Sequence, residues 1–144
     1  MIARRIGVSQ LYLFRLFPSK KALFLTSIER CFERVEEHLE RAAKGLEGEV
    51  AFEAMCASYG QLVEDRAVVQ MQLQAYAASI DDEEIRGFCQ HGWLELWDRV
   101  AARTGVSAGR AARFFGTGML VHVMVALGIP CEAQAWFRTG FPSP

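Results

Sequence analysis

The stretch from Ile2 to Leu25 reads IARRIGVSQLYLFRLFPSKKALFL. Ile2, Ala3 and Ile6 place apolar side chains on one helical face, and Gly7 then interrupts the helix. Ser9 suits an N-cap, because its hydroxyl can accept an orphan backbone N–H, and it opens a second short helix over Gln10–Phe17. A glycine at the joint supplies the positive φ that a sharp helix–helix corner needs. Two short helices joined by a glycine-containing turn make a helix-turn-helix plan.

The second helix carries an unusual outer surface. Leu13 and Phe17, one turn apart, form its inward face together with Val8 from the turn. That leaves Gln10, Leu11, Tyr12, Arg15 and Leu16 on or near the outside. A short helix that offers so many contact-making side chains to water is expected to have a docked partner. In the major groove glutamine can pair with adenine and arginine with guanine, while tyrosine and leucine can meet thymine methyls or the sugar-phosphate edge. Lys20, at the next helix N-terminus, is placed to face a phosphate, assisted by Ser9 or by backbone N–H groups.

The run IARRIGVSQLYLFRLFPSKKALF resembles the end of the DNA-binding domain of the TetR family of bacterial transcriptional regulators. The matching elements are Ile2-Ala3, Gly7-Val8-Ser9, the run Tyr12 to Phe17, Pro18-Ser19-Lys20 and Leu23. Beyond this run only length and helical pattern agree. The family usually carries glycine or proline where Leu11 stands, and tyrosine where Phe14 stands, so Tyr12 is left to supply a phosphate-binding hydroxyl. The resemblance implies a DNA-contacting set of Ser9, Gln10, Leu11, Tyr12, Phe14, Arg15 and Lys20 on a palindromic double-stranded operator. It implies a cytoplasmic homodimer joined through its last two long helices, and a small-molecule inducer bound in the body. It divides the chain into a partial DNA-binding head, residues 1–25, and a helical ligand-binding and dimerisation body, residues 26–144. It also implies one whole helix and half of another ahead of Ile2. The chain is therefore expected to begin inside that domain, through a misassigned start, a truncation or a natural short form, with weak or no DNA affinity as it stands.

Charge follows the same division. The first 28 residues hold Arg4, Arg5, Arg15, Lys20 and Lys21 and no acid, while the whole chain of 144 residues has a net charge of −1. A basic head on an acidic body fits a head that meets phosphates. Hydrophobic residues make up 51% of the chain, enough for a large core or for apolar surface reserved for a partner or ligand. Cys31, Cys56, Cys89 and Cys131 form no CxxC pair, so zinc and thioredoxin-like chemistry lack a basis, and buried thiols in a reducing compartment are expected. The N-terminus lacks the apolar core of a signal peptide. The apolar run Phe114–Ile129 spans roughly 24 Å as a helix, short of the ~30 Å of a bilayer core.

The rest of the chain reads as all-α. Proline is absent between Pro18 and Pro130. A long helix is expected over Lys20–Lys44, with Phe24, Ile28, Phe32, Val35, Leu39 and Ala42 as its apolar stripe. In the resembled family this helix joins head to body and transmits the signal. Glu49–Glu64 follows with Phe52, Met55, Tyr59, Leu62 and Val63 on one face. In Arg66–Ser79, Val69, Met71, Leu73 and Ala75 alternate with Gln70, Gln72 and Gln74, a strand signature taken alone. Helix is the expectation there, because an orphan strand has nowhere to place its hydrogen bonds. The acidic run Asp81–Glu84 caps a helix to Thr104 with Ile85, Phe88, Cys89, Gly92, Trp93, Leu96, Trp97 and Val100 facing inward. Gly105 stops it, and Ser107 opens the last long helix, to Leu127, apolar nearly all round from Phe114. One side of that helix is expected to meet a second copy, with Gly116 and Gly118 allowing close backbone approach. The tail is expected to hold only a short turn near Gln134–Phe137.

Within the body, Phe52, Met55, Tyr59, Met71, Tyr76, Trp93, Trp97, Met119 and His122 are the candidates to line a cavity for a mostly apolar molecule, each also readable as plain core. His122, alone in an apolar helix, is readable as structural, as an interface contact or as a ligand contact. No enzyme is expected: His38, His91 and His122 lie in no HExxH or GxSxG context, and Gly116-Thr117-Gly118 follows no strand. No cofactor is implied. The competing functional class is a dimeric ligand-sensing helical module without DNA binding.

Overall fold

Ser19 sets the first boundary. Its backbone is extended and its hydroxyl accepts the Ala22 N–H at 3.0 Å, which caps helix α1, Lys20–Ala42. The computed structural model describes residues 17–129, and the expectations for Ile2–Leu16 and for the turn near Gln134–Phe137 lie outside the described residues. Four further helices follow: α2, Gly48–Glu64; α3, Arg66–Ala78; α4, Glu83–Thr104; and α5, Ala108–Leu127. Among the described residues there is no strand, so the all-α expectation holds.

Local chemistry accounts for the three joints after α2. Asp65 ends α2 and caps α3, accepting the Ala67 N–H at 3.1 Å. Asp82 accepts from the Glu84 and Ile85 amides at the start of α4, and Glu83 and Glu84 complement the helix dipole. Gly105 closes α4 at φ 62°, a left-handed conformation that costs glycine little. Ser107 caps α5 through the Arg110 N–H at 3.4 Å. The alternating stretch is helix α3: Val68, Val69, Gln72 and Ala75 are buried, a spacing of three and four. A helix satisfies its own backbone, and this decides against the period-two reading.

Helix α1 packs against α2, α3 and α4, and α5 packs against the same three from the other side. The larger core cluster includes Val35, Leu39, Phe52, Met55, Tyr59, Val68, Leu96, Val100, Phe114 and Val121. A smaller one, Leu25, Ile28, Phe32, Ala75, Ile85 and Cys89, ties the first half of α1 to α3 and α4. Met71 and Trp93 pack against both. Gly92 lets the Phe32 ring lie on the α4 backbone, since a Cβ there would come within 2.5 Å of the ring. The buried stripe of α1 uses Leu25 and Cys31, with Phe24 and Ala42 only half-buried, and Phe88 on α4 is exposed.

Helix α1 runs unbroken across residue 25. One expectation changes in detail. Gly118 is buried against Tyr59 of the same chain, whereas a Cβ on Gly116 would meet open space. Gly118 therefore serves the chain's own core, and Gly116 alone stays available for a close external approach. No helix among the described residues is long and apolar enough to cross a membrane. Cys31, Cys56 and Cys89 are free and buried, and burial pushes the Cys31 thiol up to about 12 and the Cys56 thiol up to about 11. Such thiols stay protonated and unreactive.

Candidate functional site

A cleft lies where all five helices converge. Val35 and Leu39 come from α1, Tyr59 from α2, Gln72 and Tyr76 from α3, Trp93 and Leu96 from α4, and Phe114, Phe115, Met119 and His122 from α5. About 20 Å³ of it is open to a water-sized molecule, room for roughly one water. Its walls are aromatic. Tyr59 meets Phe114 edge-on at 5.8 Å between ring centroids, and Trp93 meets Phe115 edge-on at 5.1 Å. Trp97 stacks on Phe115 at 5.0 Å from behind.

Set into these walls are buried polar groups. Tyr59 Oη and His122 Nε2 are 3.1 Å apart, and their rings stack at 5.8 Å. His122 is 1% exposed, and burial lowers its pKa from 6.5 to about 4, so the imidazole is neutral near pH 7. Gly118, one turn before His122 on α5, makes this arrangement possible, because a Cβ there would strike the Tyr59 ring. Two further buried atoms, Gln72 Oε1 and His122 Nδ1, have no hydrogen-bond partner in the protein, and Tyr76 Oη has only the Trp93 indole beside it. Burial pushes the Tyr76 phenol upward, opposed by the neighbouring Trp93 indole, and pushes the Tyr59 phenol upward too. Both stay protonated. No charged side chain lines the cleft.

Of the residues expected to surround a ligand, the fold brings Tyr59, Tyr76, Trp93, Met119 and His122 together. It places the others elsewhere. Phe52 packs on Phe114 at 5.7 Å with the Arg110 guanidinium over its ring, and Met55 is core at 1% exposure. Trp97 stands behind Phe115, and Met71 lines a different groove. Sequence reasoning missed Val35, Leu39, Gln72, Leu96, Phe114 and Phe115. Gln72 was within reach: it sits three and four residues from Val68, Val69, Ala75 and Tyr76, which puts it on the inward side of α3.

At the other end, Ser9, Gln10, Leu11, Tyr12, Phe14 and Arg15 lie outside the described residues. Lys20 is exposed at the first position of α1, where the helix dipole adds to its charge. Lys21 lies 2.8 Å from both Asp82 and Glu84, which joins the start of α1 to the start of α4. Phe17 is half-buried and lines a groove of about 320 Å³ with Leu23, Cys31, Val68 and Met71. The remaining histidines stand apart: His38 Nε2 donates to the Ser58 carbonyl at 3.0 Å, and His91 is exposed beside Glu95 at 3.5 Å. Among the described residues no cluster of histidine, cysteine or carboxylate groups could hold a metal ion. Comparison with protein-family models and with curated proteins returns no match for this chain.

Proposed function

We propose that the chain is a TetR-like, DNA-binding transcriptional regulator, a cytoplasmic homodimeric repressor that a small, mostly apolar molecule releases from its operator. The observation that carries this reading is α1. It starts directly after the Gln10–Phe17 segment and, within one helix, supplies Val35 and Leu39 to the cleft. Lys20 and Val35 are separated by roughly 22 Å along the axis at 1.5 Å per residue. A tilt of about 10° at the cleft moves the Lys20 end by about 4 Å over that length. Two reading helices must sit about 34–36 Å apart to enter successive major grooves, so a shift of this size at each head spoils the fit. The Lys21 contacts to Asp82 and Glu84 carry the motion of α4, and with it Trp93, to the same end of α1.

The dimer reading draws support from the outer faces of the last two helices. Leu94 on α4 is 63% exposed, and Val123 and Leu127 on α5 are 39% and 68% exposed, with Gly116 open on the same helix. Apolar side chains on a pair of neighbouring helices suit a four-helix contact with a second copy.

The reading is tested by selecting binding sequences from a random duplex library with the full-length gene product. Two inverted half-sites are expected, with Gln10→Ala and Arg15→Ala each relaxing the preference at one base pair per half-site by about 1–3 kcal/mol. Failure to enrich any sequence at low salt would favour the ligand-sensing module without DNA activity.

A further inference from the structure

Gln72 Oε1 and His122 Nδ1 lack a protein partner, Tyr76 Oη has only the Trp93 indole beside it, and all three residues line one cleft. Gln72 is 5% exposed and His122 is 1% exposed. Burying such a group unpaired is costly, so two on one small space, with a phenol beside them, point to something that pairs with them. A charged guest is disfavoured, because no ionised side chain lines the cleft to compensate its charge and His122 is held neutral by burial. An amide oxygen accepts only, whereas a phenol and an imidazole nitrogen can be matched by a donor or an acceptor according to rotamer and tautomer. The guest must therefore donate at least one hydrogen bond. The rings of Tyr59, Trp93, Phe114 and Phe115 favour a flat apolar body on that donor.

We infer that the cleft takes an uncharged, planar aromatic molecule bearing a hydroxyl or ring N–H, the class of simple phenols and indoles, anchored on Gln72, Tyr76 and His122. The inference rests on the reading of this cleft as the regulator's ligand site, and it adds the ligand's class and its anchors. The cleft has room for about one water as its walls stand, so binding moves Trp93 and Met119, both half-buried at its edge. Methionine, unbranched and flexible, gives way readily. Displacing the walls that α4 and α5 supply also presses on Val35 and Leu39 of α1, which connects occupancy to the head.

The test titrates the full chain with phenol, toluene and benzoate at pH 7.5, following the indole N–H resonance of Trp93. Phenol is expected to bind about tenfold more tightly than toluene, the difference of one good hydrogen bond. Benzoate is expected to bind at least tenfold more weakly than phenol. Gln72→Leu should remove the advantage of phenol over toluene while the variant melts at or above the parent temperature. Equal affinity for phenol and toluene, or preference for benzoate, overturns the inference. So does absence of binding by all three probes with raised melting temperatures for Gln72→Leu and His122→Phe, which assigns the orphaned atoms to a lone structural water. The titration contains no DNA: loss of operator binding with the phenol preference intact defeats the regulator reading alone, and loss of the preference with operator binding intact defeats the ligand class alone.

Discussion

Replacing Gly118 by alanine should destabilise the chain, although alanine is the better helix former. A Cβ at this position would lie 2.7 Å from Tyr59 Cζ and 3.3 Å from Cε2, with the hydroxyl nearer still. Tyr59 cannot retreat. It is 7% exposed, its ring is held edge-on by Phe114 and stacked by His122, and its hydroxyl is 3.1 Å from His122 Nε2. Overpacking of this kind costs about 1–3 kcal/mol. Displacing the phenol also parts two buried polar groups, which costs about 1–3 kcal/mol more. Alanine's helix propensity returns about 1 kcal/mol. The net expectation is a loss of about 3 kcal/mol. Gly87 supplies the control. It lies within α4, is exposed, and a Cβ there would meet nothing within 4 Å, so Gly87→Ala should gain up to about 1 kcal/mol. Urea unfolding followed by helical circular dichroism at matched protein concentration measures both. If Gly118→Ala raises the midpoint as Gly87→Ala does, the packing of Tyr59 and His122 described above is wrong.

Acid should weaken the fold through His122. Its pKa is lowered in the folded chain to about 4 from 6.5, so between these values the unfolded chain binds a proton that the folded chain refuses. Stability from this group is complete above pH 6.5 and falls as the pH drops toward 4, by on the order of 3 kcal/mol in total. The variant His122→Gln should lose clearly less over the same window in urea titrations, and parallel curves would dismiss the role. Met55 is core and lies off the cleft. Met55→Ala should therefore cost about 2–5 kcal/mol of stability by urea unfolding, with phenol affinity unchanged where the variant is folded. In the full-length protein, Lys20→Ala should flatten the salt dependence of duplex binding by about one phosphate, read as log Kd against log salt. Lys21→Ala should flatten it less, because Asp82 and Glu84 already hold that ammonium.

The helix boundaries were legible because local chemistry marks them. Ser19, Asp82 and Ser107 cap through their own side chains, and Gly105 takes the left-handed conformation its position suggested. The α3 segment was ambiguous, since its apolar residues satisfy both periods. Only the hydrogen-bonding needs of an unpaired strand decided it. The cleft was half legible. Aromatic and methionine residues on inward faces are equally suited to core and to pocket, and nothing local separates Met55 from Tyr59. The separation comes from how five helices cross, a tertiary fact. Gln72 is polar and alternates with apolar neighbours in sequence, and only its helical spacing places it inward. Gly118 was given to an external contact because a glycine's role depends on what stands opposite it, here Tyr59 of another helix.

In the function proposed above, Gln10–Phe17 reads DNA at the head of a ligand-sensing, self-pairing body. Hydroxyl-radical footprinting of the full-length protein on its selected duplex tests it most directly. Two protected half-sites centred about one helical turn apart, roughly 34–36 Å, are expected, both lost with Gln10→Ala and Arg15→Ala combined. A cleavage ladder unchanged at low salt, or a single protected patch that survives those substitutions, would contradict it.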